Sequence, residues 1–298
     1  MGMADVVPGV SGGTIAFISG IYEELIDSIR RVDATALKLL VRLRFGELWR
    51  HVNGNFLICV LLGIAIAIFS LARLMTYLLE HHPIEIWSFF FGLIIASALL
   101  VAQQVGHWNW RTVAAFAVGA AVAWWITVAS PTETPNDWWF VMLSGAIAIC
   151  AMILPGISGA FILLLLGKYQ YIMQAVGDLN IPVMAIFVVG AAAGIISFSH
   201  LLSWLLKHWH DLTVSVLMGF MVGSLNKVWP WKEAVETYID SHGELQPLVE
   251  RNITPGHFEA LYDKPSLLVQ AILLCVVGFL TIYGIEILAR IIVKRRKA

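Results

Sequence analysis

A proline followed by glycine, serine and further small residues occurs twice in this chain, as Pro8-Gly9-Val10-Ser11-Gly12-Gly13 and as Pro155-Gly156-Ile157-Ser158-Gly159-Ala160. Each break interrupts an apolar run, and a new apolar helix is expected after it, beginning near Thr14 or Phe161. The start of a helix leaves its first N–H groups unpaired and carries partial positive charge. Glycine lets an anion approach the backbone, and Ser11, Ser158 and Thr14 supply hydroxyl donors. Two such starts, entering from opposite faces and meeting near the midplane, would cradle a phosphate or a carboxylate. The plainer alternative is that these turns only cap re-entrant loops. Repetition of the same polar residues favours the anion site.

Charges inside apolar spans are costly and are functional candidates by default. Arg73 lies three quarters of the way along its span, where it can neutralise an anion or snorkel to the interface. The repeat places His200 at the matching position. Glu286 has Arg290 four residues on, the spacing of a helix-surface ion pair. Asp5 precedes the first Pro-Gly turn as a coupling-ion ligand or a simple cap. Glu23 and Glu24 follow the first hairpin, where a solvated helix end is the preferred reading and gating the alternative. The histidines at 81, 82, 208 and 210 fall at span ends and read as interfacial, not as metal ligands.

The elements that must position these residues belong in a bilayer. Hydrophobic residues make up 59% of the 298 and charged residues only 13%, against roughly 25% charged in soluble domains. Six runs approach or exceed the roughly 20 residues a crossing helix needs: 55–79, 84–105, 110–129, 182–206, 211–228 and 266–289. Tryptophans cluster at their edges, as in Trp108 and Trp110, Trp138 and Trp139, or Trp229 and Trp231, the place of an aromatic belt. Cys59, Cys150 and Cys275 are scattered in apolar segments and read as small hydrophobes. No basic region precedes the first apolar stretch, so no cleavable signal peptide is expected.

The duplication reaches beyond the motifs. An offset of 147 pairs Pro8 with Pro155, Gly20 with Gly167 and Tyr22 with Tyr169; an offset of 127 then pairs Gly63 with Gly190, Arg73 with His200, His81 with His208, Gly92 with Gly219 and Ser97 with Ser224. The expected fold is an all-α polytopic membrane protein of two inverted repeats, each a re-entrant Pro-Gly hairpin plus three transmembrane helices. The first repeat covers 1–129, with its hairpin at 1–29, a basic insert at 31–54 and three spans. The second covers 138–298, with its hairpin at 138–177, three spans, an external loop at 229–265 and a basic tail. The insert reads as a basic amphipathic helix on the cytoplasmic leaflet, or as an ordinary connecting helix packed on the bundle.

Charge counting selects this topology. With both Pro-Gly segments re-entrant and the C-terminus cytoplasmic, loop and tail Lys and Arg number thirteen inside against four outside. A kinked full crossing at Pro155 would give six against eleven and break the positive-inside rule. Residues 139–154 also make only about 24 Å of helix, short of a roughly 30 Å core. The acidic stretch 230–265 is expected outside. Only seven residues precede Pro8, so the first arm is expected to be shortened or to begin upstream of Met1.

The opening Gly2-Met3-Ala4-Asp5-Val6-Val7-Pro8-Gly9-Val10-Ser11-Gly12-Gly13-Thr14, followed by Gly20-Ile21-Tyr22-Glu23, closely resembles the bacterial polyprenyl-phosphate transporter family, once a domain of unknown function. The resemblance extends to the second Pro-Gly-Ile-Ser-Gly motif, the spans and the basic tail. It implies a flippase that returns undecaprenyl phosphate from the outer to the inner leaflet of the bacterial inner membrane for cell-envelope synthesis, with both termini cytoplasmic. The residues alone give only an anion with midplane access. On that reading the phosphate meets Pro8, Gly9, Ser11, Gly12, Gly13, Thr14, Pro155, Gly156, Ser158, Gly159 and Arg73, while Asp5, Glu23, Glu24, His200 and Glu286 are coupling or gating candidates. No cofactor, metal or nucleic acid is expected. Membrane lipids are partners, and a coupling ion (H+ or Na+) and a homo-oligomer stay open. The rival is an undecaprenyl-pyrophosphate phosphatase-like hydrolase. Gly12 and Gly159 stand where such an enzyme carries an arginine, which removes its main electrostatic stabiliser. An ion-coupled small-anion carrier is the third reading.

Overall fold

The computed structural model describes residues 12–132, 134–239 and 245–297. Its helices are α1 (Gly12–Ile18), α2 (Tyr22–Arg30), α3 (Ala34–Val41), α4 (Phe45–His51), α5 (Gly54–His81), α6 (Pro83–Ala102), α7 (Trp110–Val128), α8 (Trp138–Ile153), α9 (Gly159–Leu165), α10 (Tyr169–Gly177), α11 (Ile181–His208) and α12 (His210–Ser224). After these come strands β1 (Lys232–Ile239) and β2 (Leu245–Asn252), then α13 (Pro255–Tyr262) and α14 (Leu268–Lys297). Among the described residues, five helices are long and apolar enough to cross a membrane, or six if the bent pair α9–α10 counts as one. The chain is a multi-pass membrane protein.

Two matched crossings, beside a third in which α8 packs on α11, form the frame. Helix α6 runs along α14, and α7 along α12, with α6 and α12 also in contact. Glycine makes the approach possible. A Cβ added at Gly92 would lie 1.9 Å from the Cys275 carbonyl oxygen, and one at Gly278 2.0 Å from that of Phe89. At the other crossing, a Cβ at Gly219 would lie 2.3 Å from the Phe116 oxygen and one at Gly119 2.4 Å from that of Val216. Gly92 and Gly219 are separated by 127 residues, as are Phe89 and Val216. Phe116 and Cys275 are separated by 159, as are Gly119 and Gly278. Backbone-to-backbone contact through small residues is how helices associate where lipid supplies no hydrophobic drive.

Smaller details repeat at the same offsets. Helices α5 and α11 both have 28 residues, and each ends on a histidine whose Nδ1 lies 3.0 or 2.9 Å from the carbonyl four residues back. His81 stacks on Tyr77 as His208 stacks on Trp204. Ser88 and Ser215 each donate to the carbonyl four residues earlier. Helices α1 and α9, and α2 and α10, coincide at the 147 offset, with Gly20 (φ +69°) and Gly167 (φ +61°) at the matching turns. Both are left-handed conformations that glycine adopts without strain.

Three expectations need correction. The protein is not all-α: β1 and β2 pair antiparallel, Lys232 opposite Asn252 and Ile239 opposite Leu245, within the segment expected as loop. The ladder is irregular, with register shifts between Ala234 and Glu236 and between Glu236 and Thr237. The basic insert is two short helices, not one. Asp33 accepts from the Thr35 and Ala36 N–H groups and starts α3, whereas Leu43 turns left-handed (φ 54°) and stops it. The span expected at 211–228 ends as a helix at Ser224. Asn226 then bonds outward, donating to Thr127 Oγ1 (2.8 Å) while its carbonyl oxygen accepts from Asn252 Nδ2 (2.7 Å), so the chain turns instead of continuing its helix.

Candidate functional site

The second Pro-Gly segment turns back on itself. Helix α8 ends at Ile153, Gly156 takes φ +90°, and α9 returns along α8 with Gly159 against the Ala148 carbonyl. A Cβ at Gly156 would meet Ser224 Oγ at 2.7 Å and the Phe220 oxygen at 2.9 Å, so α12 is packed directly on the turn. Ser158 starts α9 in extended backbone without a capping bond from its own hydroxyl. Beyond Gly167 the chain bends by 107° between α9 and α10. The return is therefore a short helix followed by a second turn.

The first segment meets the second in the core. Thr14, 1% exposed, accepts a hydrogen bond at Oγ1 from the Gly156 N–H at 3.1 Å. Tyr22, also buried, donates its hydroxyl to the Ile153 carbonyl (3.2 Å), and its ring packs on Phe17. Gly12, Gly13, Pro155, Gly156, Ile157 and Gly159 are buried around this junction, and Ser158 is half-buried. Both α1 and α9 have seven residues, so positive potential at their starts comes from first-turn N–H groups more than from a long aligned dipole. One of the turn's N–H groups is already engaged by Thr14.

The remaining sequence candidates are spread out. Asp5, Pro8, Gly9 and Ser11 lie outside the described residues. Arg73 lies on α5, whose Phe56, Leu57, Val60 and Met75 pack against the core cluster that includes Phe17, Tyr22 and Ile153. His200 is exposed on α11 with Nδ1 2.9 Å from the Ile196 carbonyl oxygen. Glu286 is half-buried on α14. Glu23 is exposed, 3.5 Å from His210 Nε2, and Glu24 accepts from Asn53 Nδ2 at 2.9 Å. These two glutamates stand at a solvated helix end, beside Asp27, which accepts from Ser203 (2.7 Å) and from Lys207 (3.0 Å) and so ties α2 to α11.

Residues absent from the sequence candidates form a second polar centre next to the junction. Glu250 on β2 accepts from Lys227 Nζ at 2.9 Å and from Lys232 Nζ at 3.3 Å. The Lys227 ammonium lies 4.8 Å from the Phe161 ring centre on α9, and that of Lys232 4.2 Å from the Trp87 ring on α6. Burial lowers the Lys232 ammonium to about 8, although Glu250 pulls it the other way. Burial alone would raise the Glu250 carboxyl, but Lys232 and Lys227 outweigh it and hold it below its usual range. In the sequence Lys227 falls at the end of the expected 211–228 span, where nothing marks it as polar-site material. Ser224, the repeat partner of Ser97, was likewise visible only as a pair. Lys168 is 1% exposed and donates to the Thr134 carbonyl and to Asn136 Oδ1.

Residues 1–246 match the family model described as undecaprenyl phosphate translocase-like. A protein of Vibrio cholerae named polyprenyl-phosphate transporter is 46% identical over 286 residues, 96% of this chain and 93% of that one. A Staphylococcus aureus protein of the same name is 34% identical over 248 residues, 77% of this chain and 83% of its own length. No solved structure matches the chain. On these matches, the chain belongs to the undecaprenyl phosphate translocase-like family.

Proposed function

We propose that this protein carries a polyprenyl phosphate, undecaprenyl phosphate in the first instance, across the bilayer from the outer to the inner leaflet, where the lipid re-enters envelope synthesis. The observation that carries the site is the Thr14 hydroxyl bonded to the Gly156 N–H, which joins two Pro-Gly segments 147 residues apart in the buried centre of the molecule. The phosphate sits at this junction, against the Ser11-Gly12-Gly13 and Ser158-Gly159 turns, and the prenyl tail stays in lipid. Burying a charged headgroup without partners would be prohibitive. Backbone N–H groups, Ser158 and an incoming phosphate replacing the Thr14 bond offset that penalty. The matched glycine crossings of α6 with α14 and of α7 with α12 support two repeated halves. Opposite insertion of the halves, with re-entrant hairpins and cytoplasmic termini, is supported by the charge count, which is thirteen inside against five outside once Lys227, past the end of α12, joins the outer loop. Rocking of one half against the other then exposes the headgroup alternately to each face.

Purified protein in liposomes carrying a labelled polyprenyl phosphate decides between transport and hydrolysis. Transport is expected to move the label between leaflets and release no inorganic phosphate. Phosphate release from a pyrophosphorylated lipid, without flipping, would turn the reading to the hydrolase.

A further inference from the structure

Two half-buried lysines share one carboxylate beside the Pro-Gly junction, and the charges do not balance. The side chains of Lys227, Lys232 and Glu250 are 19%, 9% and 22% exposed, so among the described residues this centre holds a net charge of +1. Removing three ions from water for a single unit of compensation is a poor way to gain stability. A phosphate monoester carries about −1.5 to −2 near neutral pH and would balance the two ammonium groups almost fully. Glu250 balances only half.

We propose that Glu250 occupies an anion site built for the phosphate of a prenyl lipid, and that the arriving headgroup displaces this carboxylate from Lys227 and Lys232. The site is a loading station ahead of the Pro-Gly junction. Lys227 reaches Phe161 on α9, three residues past Ser158, so a phosphate here lies next to the turn it must enter. Helix α12, at 15 residues, is about 22 Å long, shorter than a hydrocarbon core of roughly 30 Å. A centre just past its end therefore lies close to the lipid tails. Two cavities beside it suit such a tail. One of about 400 Å³ is lined by Phe91, Trp124, Asn226, Trp229 and Asn252 among others. The other, about 270 Å³, is lined almost wholly by apolar side chains, including Phe91, Trp229, Leu268, Ile272 and Val276. Trp229 borders both, with its Nε1 bonded to the Ile253 carbonyl.

This inference rests on the polyprenyl-phosphate reading, and the test separates the two. Binding of farnesyl phosphate, farnesol and inorganic phosphate to the full chain in detergent is followed by tryptophan fluorescence and by thermal unfolding. In Glu250→Gln the competing carboxylate is gone, and farnesyl phosphate should bind about tenfold tighter, the scale of one charge-assisted bond. The unliganded variant should melt lower than the parent and recover on adding farnesyl phosphate, but not farnesol. A Lys227→Gln/Lys232→Gln/Glu250→Gln protein keeps the shapes without the charges, and should lose farnesyl phosphate binding by tenfold or more. Folded Glu250→Gln protein that binds no tighter, or a triple variant that binds like the parent, overturns the proposal and leaves the transport reading standing. Inorganic phosphate binding as tightly as farnesyl phosphate overturns the lipid assignment. A parent protein that neither binds nor moves prenyl phosphate overturns both.

Discussion

The two halves of the molecule share a frame and differ in what each hangs on it. Gly92 against Cys275 and Gly219 against Phe116 are the same contact made twice, yet positions 14 and 161, matched at the 147 offset, have parted. In the first half this residue is Thr14, whose hydroxyl accepts from the other turn; in the second it is Phe161, whose ring faces a lysine. The first half inserts two short helices, α3 and α4, before its first long helix. The second inserts a β-hairpin before its last, and the offset of the final helices grows from 127 to 159 accordingly. A glycine against a backbone carbonyl leaves no room for a side chain, so these positions match in both halves, whereas positions 14 and 161 carry side chains with different partners.

The firmest way to break the comparison is to fill a crossing. Gly92→Ala places a Cβ 1.9 Å from a backbone oxygen, and Gly219→Ala one at 2.3 Å. Each should cost about 3 kcal/mol, the upper end of ordinary overpacking, and lower the melting midpoint of the purified protein. Gly63→Ala, with nothing within 4 Å of its Cβ, should instead stabilise by about 0.5–1 kcal/mol through helix propensity. Equal losses at all three positions would remove the paired-crossing account.

The turns come next. Gly156→Ala combines a left-handed φ of +90° with contacts at 2.7 and 2.9 Å, and should cost about 2 kcal/mol and abolish flipping. Gly20→Ala has the positive φ but open space around it, so about 1 kcal/mol and partial activity are expected. If both variants flip at the same rate, the packing of α12 on the second turn is irrelevant to transport. Thr14→Val strips the buried Gly156 N–H of its acceptor and should cost about 1–2 kcal/mol. Thr14→Ser should restore the bond, and its melting midpoint checks that the hydroxyl, not the methyl, is what counts.

Much of this frame was legible in the sequence because repetition is arithmetic. The offsets 147 and 127 matched the turns at Gly20 and Gly167 and paired α5 with α11 and α6 with α12. The pairing of Gly92 with Gly219 foreshadowed a shared contact, but not that Cys275 and Phe116 would supply its other side, since that offset is displaced by the hairpin. The hairpin itself was hidden by its charge. Acidic residues alternating with Ala, Val and Tyr read as an exposed loop, and only pairing in space brings Glu250 to Lys227. Asn226 ended α12 through bonds to Thr127 and Asn252, partners distant in sequence that a hydropathy run cannot reveal. Arg73, by contrast, stood out by type alone.

The finest distinction between the halves concerns protons, because only the second carries a lysine driven near neutrality. Lys232 loses its proton in the folded protein at about 8, against an ordinary 10.5. The groups around it are Glu250 from β2, Lys227 from the turn after α12, and the Trp87 ring from α6. Between these two values the unfolded chain holds more protons than the folded one, so stability without ligand should rise with pH across that window. Anion affinity should move oppositely. Deprotonation takes the centre from +1 to neutral, while the lipid phosphate, with its second pKa near 6, is already fully charged. Farnesyl phosphate affinity should therefore fall about threefold between pH 7 and 9, the scale of a partly exposed charge interaction. Arginine does not titrate in this range, so Lys232→Arg should flatten both curves. In Glu250→Gln the carboxylate no longer props up the ammonium, and the fall should begin at lower pH. Stability and affinity rising together would show that Lys232 does not face the anion, and would return the hairpin to a purely structural role.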